Sequence, residues 1–284
     1  MSAAKGKGPR ALAAGKSKAP KAGELQRLDT LLMETRNFAP PKAFAATANI
    51  RDAKVWTKAA KDPDAYWAGW AKQLSWFKPF KTVRQGGMGS ARWFLGGKLN
   101  ACHNAVDRHL DGPRRWKTAL LWVGEDQSHR ALGYYELREE TARVGNMLKS
   151  LGVGKGDRVA IYMGMIPELP IAVLACARIG AVHSVIFGGF SAASIRDRIN
   201  DMGAKVLICA DGARRRGGVV DLKKAVDEAL ESGACPSMAH VLVYEHAGNE
   251  IRMQEGRDHS WRRLALETGT DCPCEPMDSE DTLF

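Results

Sequence analysis

From residue 118 onward, short apolar runs alternate with longer amphipathic segments, and this pattern constrains the fold more than any other feature. The runs that predict strands are 119–123, 157–163, 182–187, 205–209 and 240–244. The segments that predict helices are 134–151, 167–179, 192–202 and 222–232. Strands separated by helices of this length need crossover connections, which produce parallel pairing. We therefore predict an α/β fold with a mostly parallel sheet and helices on both faces.

The residues before 118 form two further segments. Residues 1–23 are mainly Ala, Gly, Lys, Pro and Ser and carry no acidic residue, so we predict a disordered basic tail. Residues 24–117 hold most of the tryptophans and predict a helical, Trp-rich cap, in which Asp62 is the N-cap of a helix that starts at Pro63. Trp67 and Trp70 follow at helical spacing, which is typical of packing rather than chemistry.

Charge and hydropathy exclude two classes of partner. The formal net charge is +10, and much of it lies in the basic tail. No aromatic residue interleaves with the lysines of the tail to stack on bases, so we expect no nucleic-acid partner, and a basic-tailed nucleic-acid binder is the remotest alternative. No apolar run reaches the ~18 residues of a membrane span, so we expect no membrane partner. The tail also lacks the amphipathic, Arg-rich character of an organelle-targeting peptide.

The six cysteines do not predict a disulfide framework. Cys102, Cys176 and Cys209 lie in apolar or helical context and predict buried thiols in a reducing compartment, so we expect a cytoplasmic protein. Cys272 and Cys274 flank a proline, but no partner pair of Cys or His lies at zinc-site spacing. We interpret this pair as part of a loop and predict no metal site.

Two glycine-containing segments follow predicted strands, at the edge of a parallel sheet where ligands usually bind. After the run 182–187 comes the pair Gly188-Gly189, which lets a ligand approach the backbone, and Ser191 then predicts a helix N-cap. After the run 205–209 comes a Gly-bounded loop with three successive arginines, 214–216. Guanidinium groups and freed backbone N–H groups suit an anion, although a solvated basic loop is an equal alternative on physical grounds alone.

Five segments of the chain resemble the acyl-coenzyme A synthetase superfamily, most closely its AMP-forming acetate–CoA ligases. They are residues 36–41, 62–67, 93–100, 180–198 and 279–284, and they occur in the family's order. The resemblance extends over residues 36–284, which leaves out only the N-terminal part. It implies a Trp-rich cap over 24–117 and a partial AMP-dependent synthetase α/β subdomain over 118–284, which stops before the phosphate-binding loop.

The resemblance also implies a partial site for the nucleotide of coenzyme A. Phe187, Gly188 and Gly189 match a segment that lines this nucleotide in the family. Arg215 matches the first of two basic positions that contact the 3′-phosphate. The second position falls on Gly218, where the family has Arg or Lys. Either Arg214 or Arg216 is close enough in sequence to replace the missing cation.

By resemblance, we expect the N-terminal part of an enzyme that converts ATP, acetate and coenzyme A to acetyl-CoA, AMP and pyrophosphate through acetyl-adenylate. The family's groups for ATP, Mg²⁺, the acid and the adenylate come from segments beyond 279–284. We therefore expect no catalytic residue here, no activity from this chain alone, small-molecule substrates and a complementary C-terminal polypeptide. A propionate-specific relative and a non-catalytic coenzyme A-binding or interaction module stay open as alternatives.

Overall fold

The computed structural model describes residues 37–87 and 89–284, and the tail predicted to be disordered lies outside them. The chain divides into two compact units, residues 1–57 and 58–284. The described part of the first unit contains helix α1 (Lys42–Thr47). Helix α2 (Lys54–Lys61) begins in the first unit and ends in the second.

The larger unit begins with an aromatic region. Helix α3 (Pro63–Ala71) starts as predicted, because the Asp62 carboxylate accepts a hydrogen bond from Ala65 N–H at 2.9 Å. Trp67 on this helix lies edge-to-face on Trp93, with ring centroids 6.2 Å apart, so these rings do pack. The elements that follow are β1 (Thr82–Gln85), β2 (Arg92–Leu95), β3 (Lys98–Leu99), α4 (Ala101–Ala105) and a 3₁₀ turn (Asp107–His109).

The next strand differs from the prediction in its partner. β4 (Thr118–Val123) pairs antiparallel with β5 (His129–Gly133) in a separate hairpin, outside the parallel sheet. The first three residues of β5, which include His129 and Arg130, are exposed, so no apolar run marks this strand in the sequence. Since two short antiparallel strands need only a tight turn, no crossover helix lies between them.

The remaining elements follow the predicted alternation up to residue 244. The additions are an antiparallel hairpin within the predicted arginine loop and, after residue 244, a short strand with a polar sequence, a helix and a two-residue strand. In chain order they are α5 (Tyr134–Ser150), β6 (Arg158–Tyr162), α6 (Glu168–Ile179), β7 (Val182–Ile186), α7 (Ala192–Met202), β8 (Val206–Ala210), β9 (Gly212–Arg215), β10 (Gly218–Asp221), α8 (Leu222–Ala229), a second 3₁₀ turn (Glu231–Gly233), β11 (His240–Tyr244), β12 (Asp258–Ser260), α9 (Trp261–Glu267) and β13 (Met277–Asp278).

The predicted parallel sheet is confirmed. Its five strands lie in the order β12-β11-β8-β6-β7, all parallel, and helices flank it. All five residues of the central strand β8 are buried, which explains its continuous apolar sequence. β12 has a polar sequence and lies at the edge of the sheet. Arg257 and Lys223 both pair with the buried Asp258 carboxylate of this strand and compensate its charge. No helix in the described ranges is long and apolar enough to cross a bilayer.

Candidate functional site

An open cavity of about 670 Å³ lies at the carboxyl-terminal edge of the parallel sheet. Its walls come from the segments that follow β6, β7 and β8, and from the turn between β4 and β5. Four of the residues singled out from the sequence line it, and two of those come from each of the two glycine-containing segments. They are Phe187, Gly188, Arg214 and Arg215. The fold therefore brings both segments to one site, as the topology of a parallel sheet requires.

The segment after β7 is closely packed against an arginine. A Cβ atom added to Gly189 would lie 3.1 Å from the Phe187 ring and 3.3 Å from Nη1 of Arg215. The Arg215 guanidinium carbon itself lies 6.0 Å from the Phe187 ring centroid, which is at the limit of a cation–π contact. Glycine at position 189 thus allows the arginine to approach the segment after β7.

The three arginines lie on a hairpin, where the sequence predicted an irregular loop. Arg214 and Arg215 end β9, and the turn residues Arg216 and Gly217 have φ of 54° and 76°. Two successive residues in the left-handed region form a type I′ turn, whose twist matches that of the flanking strands. This hairpin gives Arg215 a fixed position on a strand, opposite Gly218 on β10.

Asp211 holds the base of this hairpin in place, although it was not among the residues selected from the sequence. Its buried carboxylate accepts four backbone hydrogen bonds, at 2.6 to 2.9 Å. One donor is Gly212, the first residue of the hairpin, and the others are His246, Ala247 and Gly248 in the loop after β11. A polar residue directly after a fully apolar strand is the signal that could have identified this anchor.

The turn between β4 and β5 adds acidic residues to the cavity. Glu125 accepts a hydrogen bond from the backbone N–H of Arg216, which stabilises the left-handed turn of the hairpin. Ser128, through its hydroxyl and its backbone N–H, holds the pKa of the Asp126 carboxyl below its usual range, and Arg214 adds to this effect. These acids compensate part of the positive charge at one side of the cavity.

The side chains of Arg214, Arg215 and Arg216 are exposed, and no salt bridge within residues 37–87 and 89–284 involves them. Unpaired guanidinium groups beside an apolar wall suit a ligand that combines an anion with a ring system. Phe187, Val185 and Ile166 belong to that wall. The residues present therefore fit a phosphorylated nucleotide. Arg216 and Gly218 lie on the same hairpin but do not line the cavity.

Three histidines outside the cavity contact aromatic rings. His103 lies 5.0 Å from the ring of Phe77, His109 lies 5.1 Å from Tyr134, and His183 lies 5.8 Å from Phe284. His246, which was not selected, lines the cavity. Of the described residues, one group offers three metal-ligating atoms close together, namely Cys102, Asp107 and Cys274, and it does not line the cavity.

Comparison with known proteins extends this description. The family model described as "AMP-binding enzyme" matches residues 108–284, and the one described as "Acetyl-coenzyme A synthetase N-terminus" matches residues 53–105. An acetyl-coenzyme A synthetase of Gemmatimonas aurantiaca is 51% identical over 263 residues, which is 90% of this chain. One of Rubrobacter xylanophilus is 49% identical over 250 residues, or 88% of this chain.

These alignments cover 40% and 38% of the two relatives, so the chain spans about 40% of the length of the curated proteins that it matches. A solved structure, acetoacetyl-CoA synthetase from Streptomyces lividans, is similar with a TM-score of 0.74 and 26% identity. That similarity covers 86% of this chain and 40% of the other. The resemblance and the fold class inferred from the sequence are confirmed.

Proposed function

We propose that this chain, which belongs to the AMP-binding enzyme family, is the N-terminal part of an AMP-forming acetate–CoA ligase. The complete enzyme would join acetate to ATP, release pyrophosphate, and transfer the acetyl group from acetyl-adenylate to the thiol of coenzyme A. Acetate is proposed from the names of the relatives, and a propionate-specific enzyme is the alternative. ATP and Mg²⁺ belong to the complete enzyme, and we assign this chain no residue for either.

The observation that carries the proposal is the position of Arg215. Its guanidinium group projects from the β9–β10 hairpin, next to Phe187 and Gly189, without a carboxylate partner among the described side chains. In this position it can donate charge-assisted hydrogen bonds to a phosphate group at the cavity. Gly218 has no side chain with which to supply the second cation, and Arg214 is the other arginine that lines the cavity.

Within this proposal, the chain supplies a scaffold and part of the binding site for coenzyme A. Arg215 binds the 3′-phosphate, the Phe187 side chain forms part of the apolar wall, and Gly188 and Gly189 leave the backbone accessible. When bound, coenzyme A supplies the thiol that accepts the acyl group. The role of this chain is to orient the nucleotide end of that molecule, and none of its residues is assigned to the acyl transfer itself.

We propose the same organisation that the sequence suggested, with a cap over 24–117 and a partial synthetase subdomain over 118–284. The remaining parts of the ligase would come from a C-terminal polypeptide, since the curated relatives are much longer than this chain. A cytoplasmic location is supported by the six free cysteines, five of which are buried.

The test is a binding titration of the chain with coenzyme A and with dephospho-coenzyme A, which lacks the 3′-phosphate. We expect Arg215→Ala to weaken coenzyme A by about 1.5–3 kcal/mol, because a charge-assisted hydrogen bond is lost. Dephospho-coenzyme A should change much less. Arg262→Ala is the matched control, since Arg262 is exposed on α9 and should leave both affinities unchanged. Equal losses for both ligands in Arg215→Ala would contradict the assignment to the 3′-phosphate.

A further inference from the structure

A second cluster of reactive side chains lies away from the cavity. Cys102 on α4, Asp107 in the first 3₁₀ turn and Cys274 before β13 place their ligand atoms within 4.8 Å of one another. The Cys102 and Cys274 sulfurs lie 3.9 and 3.7 Å from the same oxygen, Oδ2 of Asp107. Cys102 is fully buried, whereas Cys274 is partly accessible. Two thiols that are distant in sequence are therefore close enough to react with each other.

The surrounding hydrogen bonds hold both thiols in place. Asn100 accepts from Cys102 N–H and His103 N–H at the start of α4, and its amide also donates to the carbonyl oxygen of Glu275 at 2.9 Å. Arg178 on α6 donates to the carbonyl oxygen of Cys272 at 2.7 Å. The helix that carries Cys102 and the segment that carries Cys274 are thus tied to each other and to α6.

The same arginine argues against a bound cation. Nη2 of Arg178 lies 2.6 Å from Oδ2 of Asp107, the oxygen that both thiols approach. A metal ion there would have to displace this buried guanidinium or sit beside its positive charge. The hydrogen bond with Cys274 and burial raise the pKa of the Cys102 thiol well above its usual range, although Arg178 opposes them. The buried ion pair thus disfavours a metal ion and leaves Cys102 as a thiol.

We propose that Cys102 and Cys274 are an oxidisable dithiol that closes to a disulfide in the presence of a hydroperoxide. The sulfur of the accessible Cys274 attacks one peroxide oxygen and the O–O bond breaks. The hydroxide that leaves takes the Cys274 thiol proton, so that Cys274 sulfenic acid and one water form. The Cys102 sulfur then attacks the Cys274 sulfur, the S–O bond breaks, and hydroxide leaves. Asp107 takes the proton from Cys102 and passes it to that hydroxide. In total, two thiols and hydrogen peroxide give one disulfide and two waters.

The link would connect distant parts of the larger unit. All five strands of the parallel sheet lie between residues 102 and 274, so the disulfide would close a loop that contains the whole sheet. A loop of this length greatly restricts the unfolded chain, and we expect oxidation to raise the unfolding midpoint by about 5–10 °C. Thiol reductants would reverse the change, because disulfide exchange restores both thiols.

In the test, the folded full chain is oxidised with hydrogen peroxide and then denatured in the presence of an alkylating reagent, which blocks the remaining free thiols. Its peptides are mapped without reduction. We expect the chain to lose two of its six free thiols and to yield one linked pair of peptides, which contains Cys102 and Cys274. Dithiothreitol should restore both thiols. Cys274→Ala should lose no thiol, and it tests the step without disturbing a fully buried position.

Cys235→Ala is the matched control, because Cys235 is buried in a different part of the chain. It should form the link as the unmodified chain does. A link between Cys272 and Cys274, sulfinic acid at Cys274 without a link, or no thiol loss would each overturn the proposal. One equivalent of zinc that binds the chain and is lost in Cys274→Ala would overturn it as well, in favour of a metal site.

Discussion

Two sets of cations in this chain differ in every respect except charge. Arg178 and Lys223 are 1% exposed and surrounded by acceptors, whereas Arg214, Arg215 and Arg216 are exposed and form no salt bridge in the described parts of the chain. Lys223 shows the first type most clearly. Its Nζ lies 2.7 Å from Asp227, 2.9 Å from Asp258 and 2.8 Å from the carbonyl oxygen of Arg252.

The comparison separates cations that hold the fold from cations that are free to bind. A buried cation must be paired, because an uncompensated charge in the interior costs several kcal/mol. An exposed cation gains little from pairing, and it can exchange water for a ligand phosphate at little cost. Since Lys223 and Arg215 are separated by only a few residues, their different roles follow from burial and not from local sequence.

The largest effect that we expect comes from removing a buried cation. Lys223→Met should lower the free energy of unfolding by about 3–5 kcal/mol, because it leaves the buried Asp258 carboxylate with Arg257 alone. Urea denaturation measures the change. Lys224→Met is the matched control: Lys224 is exposed on the same helix, and its substitution should stay within ~0.5 kcal/mol. Equal losses in the two variants would remove the distinction between buried and exposed cations.

A smaller effect should arise at Asp211, which joins the exposed arginine hairpin to the folded core. Asp211→Asn keeps the shape but replaces one acceptor oxygen by a donor that faces backbone N–H groups, so we expect a loss of roughly 2 kcal/mol in unfolding free energy. Affinity for coenzyme A should fall as well, because the hairpin loses its anchor. Asp201→Asn, at an exposed position on α7, should change neither quantity. A destabilised variant with full affinity would show that the hairpin keeps its position without Asp211.

Burial also decides the charge of a base that has no partner. Burial lowers the pKa of His183, and its Nδ1 has no hydrogen-bond partner among the described residues. His183 therefore binds a proton more readily in the unfolded chain than in the folded chain. Stability from this group is complete above the unfolded pKa of about 6.5 and declines as the pH falls through that value towards the lower folded pKa.

We expect the free energy of unfolding to decrease from pH 7 to pH 5, by less than the effect of Asp211→Asn. His183→Gln should make this decrease shallower, and unfolding curves at several pH values measure the slope. An unchanged slope in the variant would mean that His183 does not contribute to the pH dependence. His129→Gln is the control, since His129 is exposed and should leave the slope as it is.

The smallest expected effect concerns the exposed set. Gly218→Arg should tighten coenzyme A by about 0.5–1 kcal/mol if the second cation position is vacant, as expected for an added exposed charge contact. Gly218 has space for a side chain, because its nearest contact would be the Arg215 carbonyl oxygen at 3.7 Å. Gly217→Arg places the same charge one residue earlier, but at φ of 76°, so it should cost about 1 kcal/mol of stability. Weaker binding by Gly218→Arg would show that Arg214 already fills the position.

The sequence was sufficient wherever a local pattern reports local geometry. Apolar runs and amphipathic segments indicated the strands and helices of the parallel sheet, and Asp62 and Ser191 were identified as helix caps. The rule that ligands bind at the carboxyl edge of such a sheet selected Phe187, Gly188, Arg214 and Arg215 before their common cavity was known. The assignment of these residues to coenzyme A remains a proposal.

Tertiary structure decided everything that depends on residues distant in sequence. β5 and β12 lack an apolar pattern. They form strands only because their backbone groups pair with those of β4 and β11. The hairpin that carries the arginines is anchored by hydrogen bonds that the Asp211 carboxylate accepts from the backbone N–H groups of residues 246–248, beyond any local window. Cys102 and Cys274 likewise lie close together only because the fold brings two distant segments into contact. Local sequence encodes backbone preference and hydrophobic period, whereas these contacts depend on which distant segments the fold brings together.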